Sequence, residues 1–222
     1  MSHITLSAKA VTRHVDCRSL VPNLLSDKSM AEIAAMRLAA DLTVADVFEV
    51  SVEADEAHTI TFLNTTSAHQ YIGFAMTAGQ IIVAGDAGDY LGAQLQNGVL
   101  ICKGNAGARA GDRMRRGMLL IEGNVGEYCA SDMMAGTLGV LGNTGAYLGY
   151  GMKRGTLLLA QAPAAQATWI DCGLHKLPFL NILYKSFKRL DSRFTQINSQ
   201  RVQRLVGDMG GLGKAEMLVI QP

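Results

Sequence analysis

"GNAGARAGDRMRRGMLLIEGNVGEYCASD", residues 104–132, contains one phrase twice, as "GNAGARAGD" and as "GNVGEYCASD". The interval between the copies decides the fold. Gly104 and Gly123 are 19 residues apart, as are Gly107 and Gly126. Followed outward, the same interval links Gly79, Gly98, Gly117, Gly136 and Gly155, taken here as position 0 of a repeat. Position 6 is then Gly85, Gly104, Gly123 and Gly142, and position 9 is Gly88, Gly107, Gly126 and Gly145. Position 13 reads Gly92, Gly111, Ala130, Gly149. Other columns are as regular: Asp86, Asn105, Asn124, Asn143 at position 7, and Tyr90, Arg109, Tyr128, Tyr147 at position 11. Position 16 is Leu95, Met114, Met133, Met152, and positions 2–4 are the apolar runs "IIV", "LIC", "LLI" and "LGV". A weaker unit begins at Ile60 and keeps Tyr71, Gly73 and Met76; a last one begins at Gly155 with "TLLL" and fails at Gln161 and Pro163.

A strand is short, so 19 residues hold two or three strands with their corners. The expected fold is mainly β: a single-stranded, right-handed parallel β-helix, or solenoid, with 19-residue coils stacked at about 4.8 Å per coil. Stacking puts equivalent residues over one another, which explains why a column keeps one residue type. The Asn column then forms a hydrogen-bonded ladder, and the Met/Leu column and strand runs fill the interior. Glycines at the corners admit positive φ and let one coil's backbone approach the next. They are not a phosphate loop. The dinucleotide fingerprint is G-x-G-x-x-G opening a helix, the units here read G-x-x-G, and no G-K-[ST] occurs. Leucine-rich and hexapeptide solenoids are excluded by frame and period.

The flanks frame the repeat. Residues 1–59 are expected as N-terminal strands and a short helix capping the solenoid, 60–168 as the repeat itself, and 169–222 as an amphipathic helix and β-hairpin. "ITLSAKAV", "DVFEVSVEA" and "HTITFLN" read as strands. Ser29 and Glu32 in "SMAE" form a capping box opening a helix to about Leu38. After Trp169 the pattern turns helical, with Leu180, Leu183, Phe187 and Leu190 on one face. "VQRLVGDMGGLGKAEMLVIQ" reads as strand, glycine turn, strand.

Composition narrows the function. The net charge is +1 over 222 residues, so a generally basic nucleic-acid binder is not indicated. A chain that is 49 % hydrophobic with 24 glycines is not disordered. No apolar stretch is long enough to span a membrane and the first residues have no signal-like apolar run, so a cytoplasmic protein is expected. Cys17, Cys102, Cys129 and Cys172 make no CxxC pair. Cys102 and Cys129, read as lying in apolar strands, are expected to be buried thiols. The five histidines (His3, His14, His58, His69, His175) are scattered, and no Ser-His-Asp, H-x-H or H-E-x-x-H arrangement occurs. Asp86, Asp89, Asp112, Glu122, Glu127 and Asp132 stand singly at corners and are read as solvated. No catalytic or metal-ligating residue is assigned.

The units from "GDAGDYLGAQLQNG" to "GYGMKRGTLLL" resemble the glycine-rich repeat domain at the C-terminal end of glutamate synthase. They are more similar still to the C subunit of formylmethanofuran dehydrogenase. "SLVPNLLSDKSMAEIAAMRLAA" resembles the segment that precedes the repeat in that protein. "TWIDCGLHKLPFLNILYKSF" resembles its bacterial version in methylotrophs, the C subunit of the formyltransferase/hydrolase complex. The resemblance covers about residues 19–187. It implies a complex that takes a formyl group from formyl-tetrahydromethanopterin, passes it to a methanofuran-type carrier and hydrolyses it to formate. It implies three partners, the A, B and D subunits, with transfer on the D subunit and metal-dependent hydrolysis on the A subunit. On the C subunit itself it implies no catalytic residue, cofactor or metal. Two other readings stay open: the C subunit of an archaeal-type dehydrogenase, and a glutamate-synthase-like spacer of an amidotransferase.

One corner breaks its columns. Arg109 replaces a Tyr, and Arg113, Arg115 and Arg116 follow it, with Lys153 and Arg154 two coils on. Lys103 lies one turn earlier. An arginine between tyrosines can stack on their rings. The family's bacterial carrier bears an anionic polyglutamate arm. The corner is therefore a candidate contact for that arm or for an acidic patch on a partner subunit. The plain alternative is a solvated basic corner.

Overall fold

The computed structural model describes residues 2–55 and 58–222. In chain order the elements are β1 (Ser2–Ala8), β2 (Val15–Asp16), α1 (Pro22–Leu25), α2 (Met30–Ala35), β3 (Arg37–Ala39), β4 (Leu42–Thr43), α3 (Val44–Val47), β5 (Phe48–Ala54), β6 (Thr59–Leu63) and β7 (His69–Gln70). The repeat supplies β8 (Gln80–Val83), β9 (Val99–Cys102), β10 (Met118–Ile121), β11 (Thr137–Val140) and β12 (Arg154–Leu159). The chain closes with β13 (Ile170–Lys176), α4 (Leu180–Phe187), β14 (Arg201–Gly207) and β15 (Lys214–Ile220).

The protein is mainly β, and its body is an 11-stranded, mostly parallel sheet in the order β13-β14-β15-β12-β11-β10-β9-β8-β6-β1-β5. From β8 to β12 each strand pairs in parallel with the strand one repeat on, as Leu100 with Leu119 and Leu119 with Leu138. A second parallel ladder joins the units through Ala87, Ala106, Val125 and Thr144. Their position-7 neighbours add the expected polar ladder in a particular form. Each side-chain oxygen accepts from the next unit's backbone N–H: Asn105 N to Asp86 Oδ1 at 2.7 Å, Asn124 N to Asn105 Oδ1 at 2.9 Å, Asn143 N to Asn124 Oδ1 at 2.8 Å.

Both faces of the central strands are covered, which is why positions 2–4 read as continuous apolar runs. One face (Leu100, Leu119, Leu138, Leu157) packs with the methionine column Met114, Met133 and Met152. The other (Ile101, Leu120, Leu158) lies under α4, through Leu180, Tyr184 and Phe187, and under Phe194. Gly139 stands in this second column, where its neighbours are large. A Cβ there would lie 2.5 Å from Phe194 Cε1, so the small residue makes the seat for that ring.

The glycine columns divide by cause. Positions 0 and 13 carry positive φ, as at Gly117 (88°) and Gly111 (69°), and Ala130 takes the same left-handed conformation at 60°. The position-6 and position-9 glycines are instead needed for close approach. A Cβ on Gly123 would sit 2.5 Å from the Gly104 carbonyl oxygen. Positive φ also falls where no glycine announces it: Tyr90, Arg109, Tyr128 and Tyr147 lie between 57° and 61°.

Several expectations need correction. The unit upstream is not in the 19-residue register throughout: Thr59 pairs with Gln80, 21 residues on, although Tyr71 still stacks on Tyr90 at 4.7 Å. The chain takes up the extra residues between β6 and β7. Ser29 and Glu32 do form the capping box, but α2 ends at Ala35 because Arg37–Ala39 pairs with β4. After Trp169 the chain makes a strand before the helix. β13 is exposed along nearly all its length and pairs antiparallel with β14; Ile170, Cys172 and Leu174 do alternate with Asp171, Gly173 and His175, but the face they form is not buried. The C-terminal strand-turn-strand is present, and β15 pairs in parallel with β12, covering the end of the repeat. At the other end β1 pairs with β6 in parallel and with β5 antiparallel.

Asp112 and Glu122 are buried rather than solvated. Asp112 accepts from Ser131 Oγ at 2.6 Å. Glu122 accepts from Ser192 Oγ at 2.7 Å and from the Arg193 backbone N–H at 2.8 Å. Glu122 thereby ties the C-terminal segment to the repeat, a role invisible until that segment is folded back. Cys129 lies in a turn, not a strand, though it is buried.

Candidate functional site

The position-11 column is a stack of rings. Tyr71 lies on Tyr90 and Tyr128 on Tyr147, with centroids 4.7 and 4.6 Å apart. Left-handed backbone at each of these residues gives the same side-chain direction in every unit. Arg18 closes one end, its guanidinium carbon 4.4 Å from the Tyr71 ring centroid. Arg109 takes the place of a ring inside the column, 4.8 Å above Tyr128, in the cation–π arrangement expected of an arginine among tyrosines.

Arg109 is also tied to Asp112, at 3.5 Å, and Arg113 Nε reaches the same carboxylate at 3.7 Å. The buried Asp112 thus engages the first two arginines of the corner. The rest are differently placed. Arg113, Arg115 and Lys153 line one shallow cleft of about 270 Å³ together with Gln94, Asp132 and Met134. Position 17 supplies Arg115, Met134 and Lys153, and position 18 supplies Arg116, Ala135 and Arg154. Lys103, by contrast, is committed to Asp191 at 2.6 Å and belongs to another side of the molecule, where it lines a cleft with Glu122 and Ser192.

The structure adds a residue that the repeat could not reveal. In the β12–β15 ladder Arg154 lies directly opposite Lys214. Like charges in that relation repel, yet both are exposed. Among the described residues none of Arg115, Arg116, Lys153, Arg154 and Lys214 takes part in an ion pair. The sheet register therefore collects five cations along two adjacent columns without carboxylates bound to them. Only the Lys214 partner escapes sequence reading, because the return of β15 onto β12 leaves no periodic signal.

The thiols and histidines do not assemble into a reactive centre. Burial pushes the Cys129 thiol up to about 12. Burial does the same for Cys102, also to about 12, against a smaller lowering contribution from the Gly104 backbone. Burial raises Cys17 as well. His69 is held below its ordinary value by burial, and its Nδ1 meets the Thr66 backbone. Among the described residues no group of three or more His, Cys, Asp or Glu side chains is placed to hold a metal ion. No helix among them is long and apolar enough to cross a membrane. A thiol reagent such as DTNB is expected to titrate one cysteine in the native protein, Cys172, and all four after unfolding, since only Cys172 is exposed.

Among solved structures, the chain is similar to a chain in the formyltransferase/hydrolase complex of Methylorubrum extorquens, determined by X-ray crystallography with methylofuran bound. The identity is 28 % and the TM-score 0.66, over 98 % of this chain and 100 % of that one. The likeness is to one component of that complex, end to end. No family model matches the sequence, and no curated protein does. The cation columns and the ring stack lie within the region so matched. α4, β13 and the β14–β15 hairpin lie within it too, so the C-terminal segment is part of the shared architecture and not an addition to it.

Proposed function

We propose that this chain is a noncatalytic scaffold, the C subunit, of a formyltransferase/hydrolase complex that converts formyl-tetrahydromethanopterin to formate through a furan-type carrier. The observation that carries the reading is the similarity to one component of such a complex over the full length of both chains. The local chemistry supports it: three buried thiols, and polar side chains used to stack one unit against the next. In this reading the body is a right-handed parallel β-helix. Residues 60–168 form its coils, 1–59 its cap and 169–222 its appendage; the unit-to-unit pairing of β8 to β12 supports that description. The carrier, the pterin substrate and the hydrolytic metal belong to the A, B and D subunits, and the assembly is cytoplasmic.

The test is co-expression with those three partners. The complex should release formate from formyl-tetrahydromethanopterin and carry hydrolase-type metal on another chain. Tungsten or molybdenum with iron–sulfur clusters would make the parent enzyme a dehydrogenase instead. Glutaminase and flavoprotein partners would make this chain an amidotransferase spacer.

The basic corner has a role within this reading as an anion contact, for the carrier's acidic arm or for a partner's acidic patch. Arg115→Glu with Arg116→Glu is expected to lower assembly or turnover several-fold at physiological salt, with a smaller effect at high salt. Both residues are exposed and make no ion pair among the described residues, so the fold should survive. Unchanged assembly and turnover would leave the corner merely solvated.

A further inference from the structure

Beside the unpaired cations runs an apolar groove. It lies between α4 and the strands β11 and β12, has a volume of about 360 Å³, and is lined by Thr137, Thr156, Phe179, Ile182, Leu183 and Ser186. Ile182 is 74 % exposed and Phe179 42 % exposed, on a helix whose other side is fully seated through Leu180, Tyr184 and Phe187. Two large apolar side chains held up to solvent on an otherwise well-packed helix are a feature of interaction surfaces. Arg154 lies two residues before Thr156 on β12, with Lys214 opposite it. Around the helix every formal charge from residue 177 to 190 is positive: Lys185, Lys188 and Arg189. Three carboxylates of the C-terminal segment are engaged. Glu216 accepts from Thr156 Oγ1 at 2.9 Å and from Arg204 at 3.2 Å. Asp191 holds Lys103, and Asp171 holds Gln203 and its own turn.

We infer that this groove seats an amphipathic, acidic segment of a partner protein in the complex, with its apolar side chains against Ile182 and Phe179 and its carboxylates on Arg154 and Lys214. Charge complementarity selects that occupant. An apolar groove alone would accept any hydrophobic chain. A groove rimmed by cations that oppose one another across a ladder gains most from a segment that brings carboxylates, because those relieve the repulsion between Arg154 and Lys214 as well as pairing with each. A second copy of this chain would bring its own basic rim to the same place and is disfavoured for that reason. The inference rests on the reading of the chain as part of a complex and names the partner chemistry.

The test uses the full-length tagged chain in its own organism, with a photo-cross-linking p-benzoylphenylalanine at position Ile182. After purification and irradiation, the cross-linked peptide is identified. The expected result is one peptide from a partner protein, with apolar residues flanked by at least two Asp or Glu. In parallel, R154E/K214E should weaken that partner's binding about tenfold at low ionic strength, and less at high salt, because the reversed rim charges then repel its carboxylates. Both positions are exposed, so the fold should survive the substitutions, which circular dichroism of the variant checks. Ile182→Asp, on a surface position, gives a second variant that should weaken binding without unfolding. A complex that assembles normally with R154E/K214E, or whose cross-link falls on a second copy, on a peptide without carboxylates, or on nothing, overturns the inference while leaving the reading as part of a complex intact. Recovery of the chain with no partner at all defeats that reading, and the inference with it.

Discussion

Gly123→Ala is expected to destabilise the protein by at least about 3 kcal/mol, the upper range for overpacking a tight interior, and to lower Tm by roughly 6–12 °C for a chain of this size. The added methyl carbon would sit 2.5 Å from the Gly104 oxygen, 2.6 Å from its carbonyl carbon and 2.7 Å from Asn105 Oδ1. None of these can yield easily. The Gly104 carbonyl accepts the Gly123 N–H at 3.0 Å, and Asn105 Oδ1 accepts the Asn124 N–H. Relief requires the units to separate, and separation is felt by every column at once. Gly173→Ala is the control. Gly173 has φ of 83° but nothing within 4 Å of its added Cβ, so it should cost only the left-handed strain of about 1–2 kcal/mol. Thermal unfolding of the two variants side by side separates close approach from backbone strain. Equal effects would mean that units 104 and 123 are not stacked as tightly as described.

Phe194→Ala is expected to cost about 3–5 kcal/mol, the usual range for emptying a buried phenylalanine site. Phe194 is fully buried, makes an edge contact with Phe187 at 5.7 Å, and fills the seat left by Gly139. Removing it takes away the part of the outer cluster that joins α4 to the sheet. α4 has eight residues, too few to hold a helix without tertiary support. Hydrogen exchange should therefore show amides 180–187 losing protection well before those of β9 and β10. The same variant should weaken any partner held in the groove beside α4, because that groove's wall is the helix. If protection of α4 is unchanged, the helix is anchored elsewhere.

The repeat is legible because stacking forces a column to keep one residue type, and a column needs no knowledge of the rest of the chain. The Asn ladder, the interior methionines and the glycine corners all follow from that. What resists reading has a common cause. Asp112 and Glu122 look like surface residues by type. They are buried because Ser131 satisfies one from the next unit, and Ser192 with the Arg193 N–H satisfies the other from the far end of the chain. β13 carries a short period-two pattern, Ile170, Cys172 and Leu174, but it is an edge strand wet on both faces and runs straight into the helical spacing after Pro178, so the pattern points to no core. Tyr90, Arg109, Tyr128 and Tyr147 hold left-handed backbone that their residue types do not suggest. Gly139 interrupts an apolar run for a reason that only the Phe194 ring beside it supplies.

At the candidate site the same division holds. The cluster of arginines can be found from spacing, and Arg109 in a tyrosine column does stack on Tyr128. Spacing cannot say that Asp112 binds Arg109 and Arg113, which leaves Arg115, Arg116, Lys153 and Arg154 without an ion pair among the described residues. Lys214 joins them only through the pairing of β15 with β12.

The most direct measurement is native mass spectrometry of the tagged chain purified from its own organism, with every partner identified by peptide sequencing. The expected result is one heteromeric assembly in which this chain is accompanied by formyl-transferring and hydrolytic partners. A chain recovered alone, or with glutaminase and flavoprotein partners, would contradict it.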